Sequence, residues 1–348
     1  MNGAGDFGFD IRRIKTYSGY YLDHKKLKES ASGGVASAIA EKFLMDGGVV
    51  FGVTYSPDFR NAEYCYAERP EELEKMKGSK YIASKKEVCI DGEYMSVYKV
   101  LQDKLEKGYK VLFIGLGCDV GAVHQYLKVQ GVSTEKLYTI DLVCHGPTSP
   151  KVAAQYLDAL EKKYKSRVID FTVRYKKVGW VPPYIRAVFE SGAVYEYPFY
   201  DTDYGKAFSI FPREVCFHCK FRGAFHASDI TVGDYWGMIE KPPEYNIDGV
   251  SIIFLNNPNK GKMLLDLLDQ KTFHIQETDI IRALKGNTNY YQCRKKPKNY
   301  DKFAKNFVEH GLHYAVVHSI STGTRAKSIL KMVLPRPIID ALKKIRSR

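Results

Sequence analysis

The sequence predicts an α/β protein, a mainly parallel sheet flanked by helices, with an antiparallel hairpin layer and a helical, basic C-terminal tail. Three observations lead there. Short β-rich apolar runs (VVFGVTY, KVLFIG, LYTIDLVC) alternate with segments of helical period between about residues 30 and 165. After Arg167 the texture changes to alternating strands around a tight turn, and from Asp301 basic residues accumulate. A length of 348 residues with 45% hydrophobic content allows roughly two domains and excludes a fully disordered chain.

Taken in order, residues 1–29 form an N-terminal segment whose opening MNGAGDFGFDIRR lacks the apolar core of a secretory signal. No apolar run approaches the ~18 residues of a spanning helix, so a soluble, cytoplasmic protein is expected. Residues 30–165 form the α/β half. Its helix after Ser32 sets Val35, Ile39, Phe43 and Leu44 on one face, and Val97, Val100, Leu101 and Leu105 form another such face. Residues 166–300 form an α+β half. RVIDFTVRY and YIRAVFESGAVYEYPF read as antiparallel strands with Ser191-Gly192 at a turn; VSIIFLNN reads as a buried strand and GKMLLDLLD as a helix. Residues 301–348 form the tail, with ten Lys and Arg against three acids, a net of +7. From Ser321 it reads as two short amphipathic helices around Pro335-Arg336-Pro337. They are either a solvated extension or a foot on a protein partner or on the inner face of a membrane.

Charge narrows the partners. Lys and Arg number 53 against 40 Asp and Glu, a net of +13, which favours an anionic partner. The surplus collects at the terminus instead of interleaving with aromatic residues on a nucleic-acid module, so no nucleic acid is expected. Seven widely scattered cysteines suit thiols or metal ligands in a reducing compartment better than disulfides.

The cysteines also carry the first chemical signal. Cys216-Phe-His-Cys219 has the spacing that lets two thiolates reach one metal from a tight turn. Cys118 follows the KVLFIG strand and Cys144 ends LYTIDLV. In a parallel sheet both land at one rim, where ligands commonly bind. If the later region folds over that rim, the four close a thiolate cage suited to zinc or to a 4Fe-4S cluster; otherwise Cys118 and Cys144 are ordinary buried thiols. Cys65, Cys89 and Cys293 have no such company and are taken as unliganded.

The glycine turns are a second signal. Ser32-Gly33-Gly34 opens a helix, so its N–H groups either meet an anion or simply cap that helix. The Gly115-Leu-Gly117 turn is one residue too long in its last spacing for a dinucleotide fingerprint. The loop Lys77-Gly-Ser79-Lys80-Tyr81 suits phosphate contact or a solvated turn. Lastly, CFHCKFRGAFHASDITVGDYWG gathers Lys220, Arg222, His226, Asp229, Asp234 and Trp236 within about two strands beside the CxxC pair.

Five of these stretches together resemble one family, the flavin- and iron-sulfur-containing beta subunit of the coenzyme F420 hydrogenases and dehydrogenases. They are SGGVASAIAEKFL, KGSKYIAS, FIGLGCDVGAVHQYL, IDLVCHGPTSPKV and REVCFHCKFRGAFHASDITVGDYWG. The resemblance implies one 4Fe-4S cluster on Cys118, Cys144, Cys216 and Cys219. It also implies FAD held by Ser32, Gly33 and Gly34, by the loop carrying Lys77, Ser79, Lys80 and Tyr81, and by the strand carrying Asp229, Gly233 and Asp234. Residues 30–165 would then be the flavin-binding half. Lys80, Lys220 and Arg222 would offset cofactor charge, and His145 and His226 are the candidate catalytic proton donors. The family also includes chlorophyll-pathway reductases and bacterial members linked with surface polysaccharide synthesis, so an oxidoreductase acting on a small-molecule substrate is implied.

Two departures from the family pattern carry expectations. Gly117 and Asp119 stand where the family has Pro and Gln, and the added charge of Asp119 implies either a lower cluster potential or altered substrate chemistry. No cysteine precedes Cys65, where relatives often carry a ferredoxin-like domain. Electrons would then come from a separate donor, a ferredoxin or a reduced deazaflavin. The competing readings are a carrier or scaffold subunit without turnover and a zinc-stabilised binding protein. Oligomeric state is not legible.

Overall fold

The structure, a computed structural model, describes residues 10–11, 14–223, 225–238, 241–242 and 244–320. The two amphipathic helices expected beyond Ser321 lie outside the described residues. Thirteen strands are described: β1 (Lys15–Tyr21), β2 (Val49–Tyr55), β3 (Ala62–Ala67), β4 (Ser84–Ile90), β5 (Glu93–Ser96), β6 (Val111–Leu116), β7 (Leu137–Leu142), β8 (Val168–Tyr175), β9 (Tyr184–Phe189), β10 (Val194–Pro198), β11 (Ile230–Asp234), β12 (Ser251–Leu255) and β13 (Phe273–Glu277). The helices are α1 (His24–Glu29), α2 (Val35–Met45), α3 (Val97–Glu106), α4 (Gly117–Gln130), α5 (Pro150–Tyr164), α6 (Asp203–Ile210), α7 (Lys260–Leu265), α8 (Ile280–Gly286), α9 (Tyr300–His310) and α10 (Leu312–Ser319).

Ten strands form one sheet in the order β13-β1-β12-β11-β7-β6-β2-β3-β4-β5. Its centre, β11-β7-β6-β2, is parallel throughout. The flanks turn antiparallel at β12, β1 and β13 on one side and at β2-β3 on the other. Strands from the 30–165 and 166–300 segments therefore share a single sheet, with β11 pairing directly to β7. The central strands are largely buried on both faces, as strands covered on both sides must be, with Thr139 and Asp141 of β7 and Thr231 of β11 as buried polar exceptions.

The helical stripes read from sequence decide those covers. Val35, Ile39, Phe43 and Leu44 of α2 pack with Leu112, Ile140 and Val232 on one face, joined by Leu264 and Leu265 of α7. Val97, Val100, Leu101 and Leu105 of α3 and Val120, Val123 and Leu127 of α4 cover the other face over Val111, Phe113 and Leu137. The antiparallel layer is the three-stranded sheet β10-β9-β8, whose hairpin turns at Gly192 with φ +83°. It packs with α5, α6, α9 and α10 around Phe171, Phe189, Phe199, Tyr204 and Phe303. The described part of the tail is thus docked on this core through Phe303, Phe307 and Val316.

Two local readings change. Cys118 lies inside the first turn of α4, not in a free turn before it. Cys216 and His218 sit on a 3-10 helix, Glu214–His218, so only β11 of the supposed strand pair exists in that stretch.

Gly33 is the tightest backbone approach that shapes the site. A Cβ there would lie 2.1 Å from the Gly19 carbonyl oxygen on β1 and 2.6 Å from the Ser251 nitrogen on β12. Both neighbours are backbone in a paired ladder, so neither can yield. Gly33→Ala is expected to lower the urea unfolding free energy by about 1–3 kcal/mol, whereas Ala at Gly47, which has open space around it though a positive φ, should cost less.

Candidate functional site

The carboxyl ends of β6, β7 and β11 open onto a cavity of about 400 Å³, at the edge where open α/β sheets bind ligands. It is lined by the start of α2, the Lys77–Ile82 loop, the Leu142–Pro147 segment, Gly233, Asp234 and Trp236, and by Tyr200 and Phe208 from the smaller sheet's side.

Ser32, Gly33 and Gly34 reach this cavity differently from one another. The Ser32 hydroxyl donates to the Val250 carbonyl at 2.9 Å, and the Gly33 N–H donates to Ser251 Oγ at 2.9 Å. Both are spent on the fold. Gly34, at φ +89°, is the N-cap of α2 with no side-chain cap. The uncapped N-terminus of an eleven-residue helix thus opens at the cavity through Gly34 to Ser37.

The loop that follows lends its backbone more than its charge. Lys80 is buried, and its ammonium donates to the carbonyls of Met76 and Lys77 at 2.9 Å and of Gly78 at 3.1 Å. Burial pulls its pKa down to about 8. Lys77 pairs with Glu74 at 2.7 Å and Glu29 at 3.3 Å. Ser79 and Tyr81 line the cavity. The Tyr81 ring stacks on Phe208 at 4.3 Å, and Phe208 stacks on His145 at 4.5 Å.

Sequence reasoning missed the residues that close the cavity from the small sheet. Arg174 at the end of β8 is 2% exposed; its guanidinium donates to Asp234 Oδ1 and to the Ala31 carbonyl, both at 2.6 Å. Trp180 Nε1 donates to the same carboxylate oxygen at 2.9 Å, and its ring stacks on Trp236 at 5.0 Å. Lys176 donates to the Leu27 carbonyl at 2.6 Å and the Ser32 carbonyl at 2.8 Å. Burial, followed by Arg174 beside it, draws the Lys176 pKa down to about 7. The only sequence signal was the basic-aromatic run Arg-Tyr-Lys-Lys-Val-Gly-Trp, which has the look of a solvated strand end.

The four expected cysteines come together. Cys144 lines the cavity. Cys118 lies within electrostatic reach of Cys216 and Cys219, and Cys144 of Cys118 and Cys216. A Cβ on Gly146 would lie 3.3 Å from Cys216 Sγ, so the His145-Gly146 turn abuts the CxxC element. Burial first, then Asp119, pushes the Cys118 thiol up to about 12; burial likewise pushes Cys144 up to about 12. Against that rise, the Gly146 N–H bonds to Cys144 Sγ at 3.3 Å and the Arg222 charge acts from nearby. Among the described residues, no three His, Cys, Asp or Glu side chains already close on a common point as metal ligands would.

Two expectations about neighbours are corrected. Cys293 is not isolated, because its thiol meets the Cys219 carbonyl at 3.3 Å and it acts electrostatically on Cys216. Asp119 does not add uncompensated charge, since Lys86 pairs with it at 2.8 Å and the Tyr64 hydroxyl donates to it at 2.8 Å. Arg222, expected to offset cofactor charge, donates to the carbonyls of Cys144 at 2.7 Å and Gln292 at 2.6 Å and acts on the Cys144 thiol from there.

Other expected residues fall away from the cavity. Asp229 is buried at the far end of β11, where its carboxylate accepts from Thr139 and Asn257. Lys220 is exposed. His226 stacks on Tyr290 at 4.0 Å, near Thr231, and burial lowers its pKa to about 4. His145 does reach the cavity; burial, then Arg294, lowers it to about 4. Arg294 lies 3.2 Å from His145 Nδ1 and has only protons to offer, so the ring's own proton sits on Nε2.

The sequence matches the C-terminal family of the coenzyme F420 hydrogenase/dehydrogenase beta subunit over residues 108–280, and the N-terminal family of that same beta subunit over residues 16–87. Among solved structures, the fold is similar to a chain of the F420-reducing [NiFe] hydrogenase complex from Methanosarcina barkeri. The TM-score is 0.51 at 17% identity, over 79% of this chain and 89% of that one. No curated protein matches the sequence.

Lys176 gives the site a measurable pH signature. Its folded pKa, about 7, lies below the usual 10.5, so between those values the unfolded chain binds more protons. Stability relative to a Lys176→Met variant should therefore rise as pH goes from 7 towards 10, by at most about 1.4 kcal/mol per pH unit, and level off below pH 7. Urea titrations of both proteins across that range check it; a flat difference would show that the ammonium is not desolvated.

Proposed function

Because the chain belongs to the coenzyme F420 hydrogenase/dehydrogenase beta-subunit family, a family of redox proteins, we propose that it is an FAD- and iron-sulfur-dependent oxidoreductase. In this reading it takes electrons from a separate reduced carrier and passes them to a small organic substrate. One observation carries it: four thiols from three separate elements lie within electrostatic reach of one another, and one of them, Cys144, lines a cavity built on the carboxyl edge of the sheet.

The residues fit both groups. Cys118, Cys144, Cys216 and Cys219 supply the all-thiolate donor set that a 4Fe-4S cluster takes, with Arg222 and Lys86 close enough to oppose the charge of the sulfurs. The uncapped start of α2 at Gly34, the Gly78-Ser79 backbone and the apolar wall from Tyr81 and Phe208 suit a dinucleotide with a phosphate end and a flat ring. When bound, such a cluster accepts single electrons and such a flavin delivers them in pairs to an organic acceptor.

The chain's own share is placement. Arg174 holds Asp234 and the Ala31 carbonyl, and so fixes the turn that opens α2. Lys176 ties the same turn through Ser32. Trp180 and Trp236 stack at the mouth and exclude water. His145, neutral at pH 7, offers a hydrogen bond from Nε2 and orients a substrate or flavin edge; it is not a charged acid. The acceptor is a deazaflavin or an intermediate of surface-polysaccharide synthesis, reached from the cytoplasm.

The electron donor is a negatively charged protein such as a ferredoxin. Arg213, Lys220, Lys295 and Lys298 are exposed: the first two flank the CxxC element in sequence, and the last two follow Cys293, whose thiol meets the Cys219 carbonyl; Val215 is 61% exposed. A carrier subunit that holds the cluster without turnover is the second reading, favoured by this same basic face.

Anaerobically purified protein should be brown with a flavin band, and should contain about four iron atoms per chain. Cys144→Ser should lose most of that iron; iron at the wild-type level would remove Cys144 from the set. Colourless protein holding zinc would overturn the redox reading. Reduction by an acidic ferredoxin should slow as salt rises from roughly 0.05 to 0.5 M. Lys295→Glu with Lys298→Glu should slow it by about tenfold at low salt while iron content stays constant, as stopped-flow bleaching would record.

A further inference from the structure

A fifth cysteine adjoins the four-thiol group, and a 4Fe-4S cluster takes four. The fifth, Cys293, is exposed in an irregular segment after the short turn at Thr288–Tyr290. That segment is fastened on both sides of it. Arg222 bridges the Cys144 carbonyl and the Gln292 carbonyl, and Arg294 reaches His145 at 3.2 Å and the Ser209 carbonyl at 2.8 Å. The residues before and after Cys293 are thereby tied to the thiol group itself. Its sulfur rests 3.3 Å from the carbonyl oxygen of Cys219 and is electrostatically felt by Cys216.

The partners differ in how replaceable they are. Cys118 lies in the first turn of α4 and Cys144 lines the cavity, and neither has Cys293 against it. Cys219 caps the 3-10 helix, and its carbonyl lies directly against the Cys293 thiol. We infer that Cys293 is a spare ligand for the iron that Cys219 holds, able to take that position when Cys219 leaves it. The inference rests on the cluster reading above. The exchange moves no electrons: one iron–sulfur bond to Cys219 breaks, one to Cys293 forms, and the proton of the Cys293 thiol passes to the departing Cys219 thiolate. Cys293 is exposed, as is Cys118, so alkylating reagents reach it while it is unbound, and peptide mapping tells the two apart.

Iron and acid-labile sulfide content, with peptide-mapped iodoacetamide labelling, test this on the full chain. Wild type and Cys293→Ser should hold the same iron, and Cys293 of the wild type should label readily. Cys219→Ser should keep at least about half of its iron, with Cys293 now labelling at least ~10-fold more slowly. The double variant Cys219→Ser/Cys293→Ser should lose its iron, as should Cys144→Ser, which has no neighbour to replace it. Equal iron loss in Cys219→Ser and the double variant would overturn the inference while leaving the cluster intact in the wild type, as would full labelling of Cys293 in iron-bearing Cys219→Ser. Wild type without iron would instead remove the cluster reading and this inference with it.

Discussion

Four adjacent parallel strands must all finish at the same edge, and that constraint organises the molecule. β2, β6, β7 and β11 deliver the Leu116–Cys118 turn, the Leu142–Pro147 segment and the Gly233-Asp234 strand end side by side. The peptide units leaving such an edge cannot pair with one another, so the space between them is filled by loops or by a ligand. Here part of it stays open as a cavity, which Leu116, Asp119 and Cys144 line because each lies within a turn of its strand's end.

The second organising feature is the use of buried cations as struts. Arg174, Lys176, Lys80 and Arg222 each spend their donors mainly on backbone carbonyls of turns around the cavity. A carbonyl is a modest partner for a desolvated ammonium, which is why Lys80 and Lys176 are drawn down in pKa whereas Arg174, with the Asp234 carboxylate, is raised. Removing one partner of a buried pair such as Arg174–Asp234 typically costs about 3–5 kcal/mol. Positive charge is thus held around the cavity by turn carbonyls, with little of it presented to solvent.

The arrangement also divides labour between faces. The stacked wall of Tyr81, Phe208 and His145 belongs to the cavity. Arg213 and Lys220, on either side of the CxxC pair in sequence, are exposed to solvent. No helix among the described residues is long and apolar enough to cross a membrane.

The sequence by itself determined the α/β class and the helical stripes, and it set Cys118 and Cys144 at neighbouring strand ends beside a CxxC pair whose approach to them it left conditional on the later fold. These follow from period, from strand ends and from a short local spacing, all of which survive without knowing what packs against what. It misassigned whatever depends on which donor meets which acceptor at long range. Lys77 and Lys80 read as phosphate contacts but are spent on carboxylates and carbonyls, and Asp229 lies at the other end of the strand that carries Asp234. Arg174, Lys176 and Cys293 were invisible as members of the site because each reaches it from a segment about 75 to 150 residues away and shows no period or motif of its own. Only the tertiary structure brings the small sheet's edge and the 292–294 segment to the rim, since burial and hydrogen bonding are satisfied between chain segments, and no local pattern encodes that pairing.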